Sequence, residues 1–214
     1  MNLLKTTDSL IFDVDGTLWD SCALVAEAWN TVLKKLPFPR VVNTELLHTL
    51  FGKQMIEIFG SIFPDLPRDM LPGIAERCYQ AQSEALKTGC GDIYPGVKET
   101  IPLLSRNFPL YIVSNCQKGY IEDFLRASGL SPYFQGHLCY GDTGEPKGHT
   151  IQALMKQYSL SHAVYIGDIR GDALAAKEAG IPFIWASYGF GDVEPELCAE
   201  KIKAFPELSN LFLI

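Results

Sequence analysis

A chain of 214 residues, 47% of them hydrophobic, is long enough to bury one large or two small cores without disulfide staples. Its net charge of −7, with no run of Lys or Arg, lacks the basic footprint of phosphate-backbone binding, which excludes nucleic acid as a partner. The first nine residues carry Lys5 and Asp8, and no window approaches a membrane span of roughly 18 apolar residues, so a soluble, cytoplasmic protein with no membrane partner is expected.

Ser9-Leu10-Ile11-Phe12 is an apolar run too short for a helix and closed by Asp13-Val14-Asp15-Gly16, the pattern of a buried strand running into a loop. Over 22–36, Val25, Trp29, Val32, Leu33 and Leu36 follow helical spacing, with Asp20 or Ser21 as cap and Pro37 as terminator. Further helices are expected over 44–51, 54–59 and 74–86, broken by Gly52, Gly60 and a Pro-rich turn, with no strand between about 20 and 90. After Tyr94-Pro95-Gly96 the character changes. Helices over 97–106, 120–128, 148–158 and 172–179 alternate with strands over 110–113, 137–140, 163–166 and 182–185.

This alternation predicts an α/β fold, a Rossmann-like doubly wound parallel sheet with helices on its faces. The first two core strands are almost a hundred residues apart, whereas one βαβ unit takes about 30. The helical stretch therefore reads as an insertion: a core of 1–18 and 93–214, and an α-helical cap domain of 19–92 over the first strand's loop.

In a parallel sheet Asp13, Ser114 and Asp168 each fall at or just past a strand's carboxyl end, along the edge where such folds bind ligands. Asp13, Asp15, Asp168 and Asp172 put four carboxylates there, a cluster that is costly unless a cation neutralises it. Six cysteines without a Cys-x-x-Cys pair and four dispersed histidines offer no zinc site. Oxygen ligands favour a hard ion such as Mg²⁺. Lys147 and Ser114 could then bind a phosphoryl group. Taken singly, each of these residues has an ordinary reading as a turn, a helix cap or a solvated lysine. Their joint placement on one edge is what argues for a site.

The segments Asp13-Val14-Asp15-Gly16-Thr17, Val113-Ser114-Asn115, Lys147 and Gly167-Asp168 with Asp172 resemble, in order and spacing, the four motifs of the haloacid dehalogenase superfamily. The helical insertion resembles the small cap of its phosphoglycolate phosphatase-like and β-phosphoglucomutase-like members. The resemblance implies a phosphatase acting on a small-molecule phosphate ester through an aspartyl phosphate. Asp13 would be the nucleophile and Asp15 the general acid and base. Mg²⁺ would be held by Asp13, the Asp15 backbone carbonyl and Asp168, with Asp172 orienting the site. Ser114, Asn115 and Lys147 would bind phosphoryl oxygens. Phe51-Gly52-Lys53 resembles a cap loop that faces the active site, which makes Lys53 a candidate for substrate specificity; Lys118 and Arg170 stand beside motif residues.

Met55, Phe59 and Phe63 read as cap core, Trp19 and Asp20 as structural, and Tyr188-Gly189-Phe190-Gly191 as a plain loop, since it lacks the third glycine of a dinucleotide site. A phosphomutase of the same fold is the alternative. Such members resemble one another in a His shortly after the nucleophile loop, and none occurs here before His48. Phosphonoacetaldehyde hydrolases use a cap lysine, a part for which Lys34 and Lys35 lie far along the chain. A receiver-type phospho-acceptor has no place for the insertion, and a scaffold would not need the full set of site residues.

Overall fold

The computed structural model describes residues 6–213, so Lys5 lies outside the described residues. The elements run β1 (Ser9–Phe12), β2 (Trp19–Asp20), α1 (Cys22–Leu33), α2 (Thr44–Leu50), α3 (Met55–Ile62), α4 (Leu71–Leu86), β3 (Asp92–Ile93), α5 (Val97–Leu104), β4 (Leu110–Ser114), α6 (Tyr120–Ser128), β5 (Phe134–Cys139), α7 (Tyr140–Thr143), α8 (Lys147–Tyr158), β6 (Ala163–Gly167), α9 (Arg170–Ala179), β7 (Phe183–Ala186), β8 (Glu200–Ile202) and α10 (Glu207–Phe212).

Six strands form one parallel sheet in the order β5-β4-β1-β6-β7-β8. β1, β4 and β6 are buried along their whole length, as parallel strands covered on both faces must be. Leu10 and Phe12 of β1 point into one apolar cluster and Ile11 into the cluster on the opposite face, which is the period of two expected of a strand. After β1 the chain adds β4 and β5 on one side, then β6, β7 and β8 on the other, so the order reverses at β1. Phe12 pairs with Ile112 and with Ile166. Asp13, Ser114 and Asp168 thus lie within one residue of the same level at the reversal point, where an α/β sheet opens a crevice.

A third apolar cluster is built from residues 22–78. At its centre Trp29 packs its ring on Phe51, Phe59 and Tyr79, at 6.2, 5.0 and 6.1 Å between centroids. Asn43 caps α2 by accepting from the Leu46 N–H, and Glu57 accepts from the Gln54 N–H at the start of α3.

Several expectations differ in extent. α4 begins at Leu71 because Pro72 sits in its first turn, where a missing N–H costs nothing. α3 runs through Gly60 to Ile62. The strand expected over 137–140 is Phe134–Cys139; the Asp142 carboxylate accepts from the Cys139 N–H and turns Tyr140 into α7. β2 and β3 pair antiparallel at the two ends of the helical stretch, and two-residue strands are too short to show a period. β8 carries exposed Glu200 and Lys201, so it has no apolar run to mark it.

Candidate active site

The loop leaving β1 turns sharply. Leu18 and Thr17 donate their N–H groups to Val14 O at 2.8 and 3.2 Å. Gly16 sits at φ +79°, and a Cβ there would fall 2.0 Å from Asp168 Oδ2. Glycine is therefore required twice over, by conformation and by the approach of Asp168. Asp13 donates its N–H to Ile166 O at 2.9 Å, which pins the carboxylate beside β6.

Lys147 opens α8 and is 5% exposed. Its Nζ lies 3.2 Å from Asp13 Oδ2 and 2.5 Å from Asp172 Oδ1. Burial alone would lower its pKa, but the charges of Asp13 and Asp172 overcome that and hold it above the ordinary lysine value. Asp172 Oδ2 accepts from the N–H groups of Asp168 and Ile169 at 3.1 and 3.2 Å. Asp168 in turn accepts from Thr17 Oγ1 at 3.3 Å and from the Phe190 N–H at 2.7 Å, and Trp185 Nε1 donates to its backbone oxygen at 3.1 Å.

Carboxylate oxygens of Asp13, Asp168 and Asp172 lie within 4.8 Å of one another. Fully ionised, and with Lys147 as the cation braced among them, the three carboxylates would carry an excess of two negative charges. Burial pushes the Asp13 carboxyl up to about 7 against the pull of Lys147, with Asp172 and Asp15 adding to the rise. Burial, then the charges of Asp172 and Asp13, hold Asp168 well above the usual carboxylate range. Asp13 Oδ1 is buried with no hydrogen-bond partner. An orphaned carboxylate oxygen in an all-oxygen donor set with surplus negative charge fits a hard divalent cation. The Asp15 carboxylate stands outside this trio, so the four-carboxylate cluster read from the sequence is three plus one.

Asp15 is 8% exposed and lines a cavity that reaches from the loop after β1 into the helical stretch. Its Oδ1 accepts from Trp19 Nε1 at 3.0 Å, Ser21 Oγ at 2.7 Å and Tyr120 OH at 2.7 Å. Oδ2 has no partner among the described residues. Burial pushes Asp15 up to about 6, and the donors from Tyr120, Ser21 and Trp19 oppose it. One oxygen is thus held while the other is left for a proton near neutral pH.

Residues 10–186 match the family described as haloacid dehalogenase-like hydrolase. The chain belongs to that family. This hydrolase is 28% identical over 214 residues to a phosphoglycolate phosphatase of Vibrio vulnificus, across 94% of the chain and 93% of that protein. Its fold is similar to that of a structure described as a "predicted phosphoglycolate phosphatase" from Haemophilus somnus, with a TM-score of 0.83, 22% identity and coverage of 96% and 97%. It is also similar to β-phosphoglucomutase from Clostridium difficile, with a TM-score of 0.76, 17% identity and coverage of 95% and 93%. Those two likenesses concern the fold.

The hydrolase distributes its other candidate residues unevenly. Ser114 is buried at the end of β4, with its hydroxyl beside the Asp13 carboxyl. Asn115 donates its Nδ2 to Gly52 O at 2.8 Å and so ties the 51–53 loop to the sheet. Lys53 is exposed at the mouth of the cavity. Lys118 pairs with Asp142 at 3.7 Å and Arg170 with Glu194 at 2.7 Å, both pairs at the surface and outside the cluster. Phe59 and Phe63 are buried in the helical cluster; Met55 packs against the same cluster and also lines the cavity.

Sequence reasoning missed the holders of Asp15 and Asp168. Trp19 and Ser21 were legible only as neighbours of the loop after β1, and Tyr120 lies 105 positions from Asp15. The loop after β7 is more than a connection: Phe190 holds Asp168, and Tyr188 OH donates to Thr17 O at 2.8 Å. Phe190 also stacks on His48, whose Nε2 lies 2.7 Å from Asp20 Oδ2, so Asp20 links helix α2 to the start of the insertion.

Proposed function

We propose that this hydrolase is a cytoplasmic, Mg²⁺-dependent phosphatase that hydrolyses a small phosphorylated metabolite through an aspartyl phosphate on Asp13. The observation that carries the reading is the Asp13 carboxylate, with Oδ2 braced by Lys147 and Oδ1 buried and unpartnered. Such an oxygen is positioned as a nucleophile and costs little to redirect at phosphorus.

Asp13 attacks phosphorus, and the bond from phosphorus to the leaving oxygen breaks. Asp15 gives that oxygen its proton. It then takes a proton from the water that attacks the aspartyl phosphate, which releases phosphate and restores the Asp13 carboxylate. The three donors on Asp15 Oδ1 keep Oδ2 for that proton. Asp13, Asp168 and the Asp15 backbone carbonyl would hold Mg²⁺, which supplies positive charge to the phosphoryl oxygens when bound. Asp172 fixes Lys147 and the Asp168 turn. Ser114, Asn115 and Lys147 bind phosphoryl oxygens, and the Asn115 side chain also holds the 51–53 loop. Residues 19–92 serve as the cap over a core of 1–18 and 93–214. Its six cysteines, all free thiols, suit a reducing compartment.

Release of phosphate from phenyl phosphate in Mg²⁺ is the test. Chelation of the metal and Asp13→Asn should each reduce turnover to background. Turnover by Asp13→Asn at the unsubstituted rate would reject the nucleophile.

A further inference from the structure

The cavity that Asp15 opens into ends on the helical insertion, where Trp29, Tyr79 and Gln82 form its wall. Gln82 lies on α4 and is 3% exposed. A buried amide is costly unless both its ends find partners. One end does: Trp29 Nε1 donates to Gln82 Oε1 at 2.9 Å. An indole N–H can only donate, so this contact settles which way the amide points. Oε1 faces Trp29, which leaves Nε2 and both its hydrogens available to the cavity that Gln82 lines. No described residue accepts from Nε2.

Tyr79, one turn earlier on the same helix, packs its ring on Trp29 and Phe59 at 6.1 and 6.0 Å. Its hydroxyl also has no partner among the described residues, and burial keeps it protonated. Charge on the cavity wall is confined to Asp15 at the chemical end and exposed Lys53 at the mouth. The end formed by Trp29, Tyr79 and Gln82 is neutral. A carboxylate entering it would lose its water without gaining a cation and would approach the Asp15 carboxyl. A carbonyl or hydroxyl oxygen would accept from Gln82 Nε2 at no such cost.

We propose that Gln82, oriented by Trp29 and joined by Tyr79, is the specificity-determining contact for the leaving group, and that this group is uncharged and carries a carbonyl or hydroxyl oxygen, as in a short ketose or polyol phosphate. The proposal rests on the phosphatase reading and adds the class of its substrate. It sets this chain apart from a preference for a phosphorylated carboxylic acid.

The test compares kcat/KM for dihydroxyacetone phosphate, 2-phosphoglycolate and phenyl phosphate in the unsubstituted enzyme and in Gln82→Met and Tyr79→Phe. Dihydroxyacetone phosphate should be preferred to 2-phosphoglycolate by about tenfold or more. Gln82→Met should raise KM for dihydroxyacetone phosphate about tenfold while phenyl phosphate, which has no oxygen to reach the amide, changes less than about twofold. Tyr79→Phe, a milder change that keeps the ring packing, should raise the same KM about threefold. Equal losses on both esters would make Gln82 a mere support for Trp29 and overturn the proposal. So would unchanged kinetics in both variants, or a preference for 2-phosphoglycolate. If the unsubstituted enzyme hydrolyses none of the three, the phosphatase reading itself falls and takes this one with it.

Discussion

Around Asp13 most of the polar side chains are charged and brace one another, whereas the wall that α1 and α4 give to the adjoining cavity through Trp29, Tyr79 and Gln82 is neutral and partly unpartnered. Lys147 bridges two carboxylates, Asp172 holds the turn that carries Asp168, and the loop after β7 closes on Asp168 from the other side. On the insertion, Trp29 holds one end of Gln82 and leaves the other free. Buried charges must be compensated wherever they sit, so a site that handles phosphate is heavily cross-braced before any ligand arrives. A surface that reads a leaving group needs only a few fixed neutral donors in an apolar wall.

The sharpest way to break this comparison is to remove the cation on the charged side. Lys147→Met should abolish phenyl phosphate turnover and lower stability by about 3–5 kcal/mol, because Asp13 and Asp172 lose the charge that both face. Urea denaturation reads the stability. A variant as stable as the unsubstituted enzyme would mean that the bracing is incidental.

Next in size is Asp15→Asn, which keeps an oxygen for the donors of Trp19, Ser21 and Tyr120 but removes the proton carried by Oδ2. Turnover of alkyl phosphates, whose leaving groups need that proton, should fall about 100- to 10,000-fold. Aryl phosphates with good leaving groups should lose far less. A loss that is equal across leaving groups would detach Asp15 from proton transfer.

On the neutral side the expected effect is on folding rather than chemistry. Trp29→Ala removes the largest side chain of the helical cluster and strands Gln82 Oε1. It should lower stability by about 3–5 kcal/mol by thermal or urea melt. A change below about 1 kcal/mol would show that the cluster collapses into the space and that Trp29 is not its keystone.

The same contrast explains what could be read from the sequence. Asp13, Asp15, Ser114, Lys147, Asp168 and Asp172 were legible because each is polar or charged and stands beside an apolar strand or at a helix start, a conflict that a site resolves. The alternation of strands and helices after residue 94 was legible because strands buried on both faces leave unbroken apolar runs, as Tyr111 to Val113 and Val164 to Ile166 do. What was lost lacks such a conflict. Gln82 sits in a regular helical pattern, Tyr120 follows an ordinary glycine, and the loop through Phe190 acts by a backbone N–H that no residue type advertises. β8 was missed for a related reason, since an edge strand with exposed Glu200 and Lys201 has only Ile202 to bury.

Lys53 is where the two sides meet, and it sharpens the comparison with the smallest effect. It is the cation at the mouth of the cavity, yet it is exposed and no described residue pairs with it. An exposed ammonium loses little water and gains little from an ion in solvent, so its contribution to binding stays within about 1 kcal/mol. Lys53→Met should therefore change kcat/KM for an uncharged leaving group by less than about threefold, and raise KM for 2-phosphoglycolate by up to about fivefold at low salt. High salt should erase the second effect, because screening removes an exposed pair and spares a buried one. A tenfold loss with the uncharged ester, undiminished by salt, would mean that the helical stretch closes over Lys53 when substrate binds, and contributes a buried charge after all.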